Sequence, residues 1–167
     1  MGLISIIYAA LGVSVLFILL DQLAKWAVAA NLAGSAPVTV IPGIFQLTYV
    51  ENTGAAFSSF DGHRWFLIVV TGLVIIGLLY LLLFHHIRNR FVIWCLSGII
   101  AGGVGNLIDR IFHGYVIDYI QLTFVDFAIF NFADCLVVVG VILLLVYLLF
   151  FHKEEKILYF DKHKTKF

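Results

Sequence analysis

Charge is what the 167-residue chain lacks most: Asp, Glu, Lys and Arg make up 12% of it, against 63% hydrophobic residues, and the mean hydropathy is +1.09. So few charged groups cannot cover a water-soluble core, which excludes an ordinary soluble domain and leaves a membrane protein. Acidic and basic residues cancel to a net charge of zero, so charge points to no particular partner, and no nucleic-acid partner is expected. Cysteine is scarce as well. Cys95 and Cys135 both fall inside apolar runs, where a buried thiol is inert, so no disulfide is expected. Two reaction signatures are absent. Ser58, Ser59 and Ser97 have no GxSxG context, which argues against a serine nucleophile, and His63 and His113 read as interfacial residues and not as bases. HExxH is missing, and the His85-His86 pair gives no convincing metal site, so neither metal nor other cofactor is expected.

What the chain has in abundance is apolar length. Leu3 to Leu20, Trp65 to Phe84, Phe91 to Ile108 and Phe132 to Phe151 each approach the about 20 residues a helix needs to cross the hydrocarbon slab. The expected architecture is an all-α membrane protein, a four-transmembrane-helix bundle with a small extracytoplasmic β-element. It forms a single integral-membrane domain over 1–167, with helices over about 3–30, 64–84, 91–110 and 131–152. No basic segment precedes the first run, and Asp21 to Ala30 continues as good helix with no small-residue cleavage site, so that run is expected to stay attached. An even number of spans puts both termini on one side. Arg88, Arg90 and the tail residues Lys153, Lys156, Lys162, Lys164 and Lys166 share that side, against Lys25, Arg64 and Arg110 on the other. The positive-inside rule then places the termini in the cytoplasm and the 31–64 and 109–130 connections outside. The basic 153–167 tail reads as a cytoplasmic segment contacting anionic lipid.

The first outer connection carries its own structure. Pro42-Gly43 is a turn signal, and Ile44 to Val50 is rich in β-branched and aromatic residues with Phe45, Leu47 and Tyr49 on one face. A small sheet is expected within about 36–60, resting on the membrane surface or the helix ends because two or three strands are marginal alone. It can cradle an extended peptide.

Polar residues gather at the outward end of these helices. Asp21 and Lys25 stand where the first leaves, Asn106, Asp109 and Arg110 where the third does, and Asn131 and Asp134 where the fourth re-enters, with Asp118 between. Acids beside membrane segments mark relays, ion paths or reaction centres. Two carboxyl groups held close do not both ionise freely. One keeps its proton, so the ionised member can take a proton from water while the other polarises a carbonyl, which is aspartyl-protease chemistry for Asp118 and Asp134. Structural readings stand beside it. Asp118 can be a solvated loop acid, and Asn131-Phe-Ala-Asp134 has capping-box spacing. Gly98, Gly102, Asn106 and Asp109 fall on one helical face, where the glycines suit close helix packing. Asn106 and Arg110 can order a loop by binding carbonyls or hold a lipid phosphate, or Arg110 can simply snorkel. Asp21 and Lys25, four apart, form an internal ion pair that can brace a site. Asn52-Thr-Gly54 suits a backbone that approaches a ligand closely.

Five blocks carry a resemblance: Asp21-Gln-Leu-Ala-Lys25, Asn52-Thr-Gly-Ala-Ala-Phe57, Gly105-Asn-Leu-Ile-Asp-Arg110, Val116-Ile-Asp-Tyr119 and Phe130-Asn-Phe-Ala-Asp134. In this order and spacing they resemble the lipoprotein signal peptidases, or signal peptidase II, of bacteria. The resemblance implies a four-helix inner-membrane aspartyl endopeptidase that removes the signal peptide of a prolipoprotein, cutting before a cysteine that carries diacylglycerol. By it, Asp118 and Asp134 match the catalytic dyad; Asn52, Gly54, Asn106, Arg110 and Asn131 line or support the substrate site; Asp21 and Lys25 form a supporting motif. Prolipoproteins and membrane lipids are the implied partners, with no obligate protein partner. Tyr119 departs from a common Phe, and Ala128 from a frequent Pro whose absence could loosen the connection between the aspartates. Two other classes compete: a proton-coupled transporter, which would need ionisable groups along the depth of the bilayer, and an assembly factor packing through Gly98 to Gly105.

Overall fold

The computed structural model describes residues 2–54, 59–84, 87 and 89–151. Ala55 to Ser58, the His85-His86 pair, Arg88 and the basic 153–167 tail, all used in reading the sequence, lie outside the described residues. Four helices dominate: α1 (Leu3–Leu32), α2 (Arg64–Phe84), α3 (Arg90–Phe112) and α4 (Phe132–Val146), the last continuing as a π-helical turn over Tyr147–Phe151. All four are long and apolar enough to cross a membrane. α2 has the expected bounds, while α1 ends two residues later and α3 extends by one residue at its start and two at its end. Asn89 accepts a hydrogen bond from the Val92 amide at 3.1 Å and starts α3 at Arg90. The expected fourth helix, by contrast, keeps regular α geometry only to Val146.

The bundle is organised on α3, which touches the other three helices. Its glycines face different partners. A β-carbon on Gly103 would meet Ile75 of α2, one on Gly105 would meet the Asp21 carboxylate of α1, and one on Gly102 would collide with the Ala133 carbonyl of α4. The small residues therefore admit three separate close approaches, whereas the sequence pattern placed Gly98, Gly102, Asn106 and Asp109 on one face. Asn106 does reach α4, but Asp109 turns instead toward α1 and the sheet. Buried apolar residues form two clusters. One joins Ile6, Ile7 and Ala10 of α1 to Ile75 and Leu82 of α2 and Ile93, Leu96 and Ile100 of α3; the other joins Val28 of α1 to Ile117 and Tyr119. Most remaining large apolar side chains of α2 and α4 point outward, as a hydrocarbon solvent requires.

Three antiparallel strands, β1 (Val38–Ile41), β2 (Phe45–Asn52) and β3 (Val116–Leu122), form one sheet in that order. Gly43, at φ +75°, permits the turn between β1 and β2. The sequence placed the whole β-element within about 36–60 and left Asp118 in a connection. Here the structure corrects it: the third strand comes from the segment after α3 and carries Asp118. A pairing across 66 residues has no local signature, so only the assembled chain reveals it. Pro37 and Pro42 flank β1 and blunt the sheet's free edge. Phe130 exchanges backbone hydrogen bonds with Ile120 at 2.8 and 3.1 Å, so the connection leaving β3 is tied at its far end although Ala128 stands where a proline was anticipated.

Packing at Gly102 yields a test. Gly102→Ala should push the start of α4 off α3 and destabilise the protein by about 1–3 kcal/mol, read from unfolding in detergent micelles, while Gly77→Ala, whose β-carbon would meet nothing, should be neutral or slightly stabilising.

Candidate active site

The site is assembled where the sheet meets the helix ends. Helix α4 begins with Asn131 as its cap: the Asn131 side-chain oxygen accepts from the Asp134 amide at 2.9 Å, and the Asp134 carboxylate accepts from the Asn131 amide at 3.1 Å. The capping box is therefore real, and it holds Asp134 at the first turn of the helix. The rest of Asn131 reaches the other aspartate. Its side-chain nitrogen donates to Asp118 at 2.6 Å and to Asn106 Oδ1 at 3.2 Å. One fully buried residue thus touches both carboxyl groups.

Asp118 is buried, not the solvated loop acid that sequence alone allowed. Val50 of β2 stands opposite it, and Asn52, two residues on, donates to its second oxygen at 2.8 Å. Burial is the main force on its proton, pushing the carboxyl up to about 6; Asp134 adds to the rise, while the amides of Asn52 and Asn131 oppose it. The Asn52 side-chain oxygen accepts from the Gly54 amide at 2.9 Å, and the Gly54 carbonyl accepts from Arg110 Nη2 at 2.8 Å. The Arg110 guanidinium lies in the field of Asp134, Asp118 and Asp109.

Beneath the aspartates sits an ammonium group shielded from water. Lys25 Nζ bonds Asp21 at 2.9 Å, Asp109 at 2.9 Å and Asn106 Oδ1 at 2.8 Å, which uses all three of its donors. Asn106 then donates to Asp134 at 2.7 Å. Asp21 accepts from the Ala133 amide at 3.0 Å, and Asp109 from the Ile117 amide at 3.1 Å. Gln22 donates to Asp109 at 3.0 Å and lies 3.3 Å from Asp21.

All nine residues picked from the sequence, Asp21, Lys25, Asn52, Gly54, Asn106, Arg110, Asp118, Asn131 and Asp134, are joined in this one network. Three further contributors had no assigned role. Asp109 stood in the outward polar gathering and on the helical face of Asn106, and Gln22 stood inside a quoted block, but neither was given a partner. Tyr119 was noted only as a departure. Its hydroxyl accepts from the Phe132 amide at 3.3 Å, and burial pushes it up to about 12, so it stays protonated. A spacing of three from Asn106 to Asp109 was the available signal for the first; nothing local announces the third. Among the described residues, no cluster of His, Cys, Asp and Glu has the makings of a metal site.

Residues 13–150 match the family model described as signal peptidase (SPase) II. The chain is 48% identical over 141 residues to a lipoprotein signal peptidase of Streptococcus pyogenes serotype M1, covering 84% of this chain and 91% of that one. It is 45% identical over 136 residues to the lipoprotein signal peptidase of Streptococcus thermophilus (strain CNRZ 1066), covering 81% and 87%. Its fold is similar to a bacterial membrane enzyme solved by the in meso method, with a TM-score of 0.79, 31% identity, and 89% of this chain and 93% of that one covered.

Two measurements test the electrostatics. Lys25→Met leaves Asp21 and Asp109 facing each other without their cation and should cost about 3–5 kcal/mol in unfolding free energy at neutral pH. Asp118 binds its proton more tightly folded than unfolded, since about 6 lies above the ordinary 3.8. Its contribution is therefore most favourable below about pH 4 and declines as pH rises toward 6, by on the order of 3 kcal/mol, then levels off. Asp118→Asn should remove that part of the pH dependence of unfolding, and an unchanged profile would contradict the assignment.

Proposed function

The chain belongs to the signal peptidase II family, and from that premise we propose that it removes signal peptides from diacylglyceryl-modified prolipoproteins, cutting before the lipidated cysteine by a water activated between Asp118 and Asp134. It is a protease and a multi-pass membrane protein. The observation that carries the reading is the Asn131 bridge, which binds Asp118 through its side chain and Asp134 through its backbone amide. Such a bridge holds two carboxyl groups of different environment beside one another, the arrangement that general acid–base hydrolysis needs.

In this mechanism the two carboxyl groups share one proton, and the ionised member of the pair takes another from the water. The water attacks the scissile carbonyl. The protonated member gives its proton to the carbonyl oxygen while nearby side-chain amides steady the developing charge; as the C–N bond breaks, the proton taken from the water passes to the leaving amine and a hydroxyl of the tetrahedral intermediate returns its proton to the dyad. Asn52, Gly54, Asn106, Arg110 and Asn131 position or line the substrate, while Asp21 and Lys25 hold the scaffold beneath it. Residues 1–167 act as one unit, without a cofactor or an obligate protein partner.

The termini lie in the cytoplasm of a bacterial cell, and the dyad lies at the outer leaflet of its cytoplasmic membrane. The positive-inside bias supports this orientation, and the site gathers at the end of the bundle that carries the sheet. The lipid chains of the substrate stay among acyl tails while its peptide bond reaches the carboxyl groups at headgroup depth. A transporter would spread ionisable groups through the bilayer; the network described here is confined to one end of the helices.

Asp118→Asn and Asp134→Asn should each fold and insert, yet lose about 10²–10⁴-fold in turnover of a diacylglyceryl-modified precursor. An unmodified precursor should resist the unaltered enzyme. Normal processing by either variant would exclude the mechanism, and proton or solute flux in vesicles dependent on Asp134 would favour transport instead.

A further inference from the structure

Arg64 opens α2, far in sequence from the aspartates, and nothing in the proposed mechanism uses it. Its contacts are specific. Nε donates to the Arg110 carbonyl at 2.7 Å and Nη2 to the Ile111 carbonyl at 2.8 Å. Those carbonyls belong to the last turn of α3, where a helix leaves acceptors without intrahelical partners and presents the negative end of its dipole. The Asp109 carbonyl in the same turn is already taken by the amides of His113 and Gly114. Arg64 therefore supplies the donors that α3 itself cannot. Gly114, at φ +91°, turns the chain away there, and a β-carbon on it would sit 3.3 Å from Arg64 Nη1. The Trp65 ring lies 5.3 Å beneath the guanidinium and further limits its movement.

Arg110 is bound twice by the same segment. Its side chain grips the Gly54 carbonyl at the start of the connection that leads from β2 to α2, and its own carbonyl is gripped by Arg64 at the end of that connection. Both ends of the connection thus close on one residue. From Arg110 the path continues through Gly54 and Asn52 to Asp118, each step a hydrogen bond of 2.8 or 2.9 Å.

We propose that Arg64 is a positioning residue for cleavage: by clasping the last turn of α3 it sets the Arg110 side chain and, through it, the Gly54–Asn52 edge of the substrate site. The inference rests on the function proposed above. Arg64 touches neither aspartate, so its loss acts on how substrate is held and leaves the bond-breaking step intact. Lysine keeps the charge but offers no planar fork able to serve two adjacent carbonyls, so it replaces arginine in part.

The test uses the full-length protein in detergent micelles, with a diacylglyceryl-modified precursor peptide as substrate. Arg64→Ala should raise KM about tenfold with kcat within about twofold, and Arg64→Lys should fall between it and the unaltered protein. Amide hydrogen exchange in the same samples should quicken at Gly54 and across residues 59–63 while residues 96–106 keep their protection. Unchanged KM in Arg64→Ala, or unchanged exchange at Gly54, would overturn the proposal. So would a fall in kcat alone that tracks lost thermal stability, the mark of a merely structural role. If the alanine variant fails to fold, the lysine variant carries the same comparison. An unaltered protein inert toward the lipidated precursor would instead sink the function proposed for the aspartates, whereas an active one with an indifferent Arg64→Ala variant would sink the clasp alone.

Discussion

Lys25 carries its charge where water does not reach, and a buried ammonium has to find acceptors for all three protons or destabilise the fold. It finds them on Asp21, Asp109 and Asn106, and each acceptor then reaches a further element. Asp21 binds the second residue of α4, Asp109 binds the backbone of β3 beside Asp118, and Asn106 binds Asp134 itself. The proposed dyad spans two successive elements, β3 and α4, that meet at this one place. A single cation, through its three partners, sets the position of both.

The start of α4 shows how completely that placement is determined. The first amides of a helix have no partners within it, and here each finds one from a different source: Phe132 from the Tyr119 hydroxyl, Ala133 from Asp21, and Asp134 from Asn131. Capping and chemistry are thus not rival explanations of Asp134. The box that begins the helix also presents its carboxylate to Asn106, and the residue that completes the box presents an amide to Asp118. Removing water from these groups strengthens every bond among them and raises the proton affinity of Asp118.

Glycine makes the arrangement possible one layer down. Gly102 lets α3 approach the Ala133 carbonyl, and Gly105 leaves room for the Asp21 carboxylate that caps α4. Any side chain at either place would separate the helices that bring Lys25, Asn106 and Asp134 together. The apolar outer faces of α2 and α4 complete the picture, since a hydrocarbon surround leaves polar groups at the membrane edge to pair with one another.

Much of this was legible in the chain itself. Apolar runs mark the four helices because span length is a local property, and spacings of three and four expose the Asn131–Asp134 box and the Asp21–Lys25 pair because helical periodicity is local too. The five blocks that resemble lipoprotein signal peptidases contain all nine residues assigned to the site. Tertiary structure alone decided that β3 joins the sheet of the first outer connection, that Asp109 faces Lys25 instead of α4, that the Tyr119 hydroxyl caps a helix, and that Arg64 clasps Arg110. Each of these is a bond between segments that come together only when the helices pack. Periodicity records which way a residue faces along its own element, but which partner meets it there depends on how the elements are placed in space.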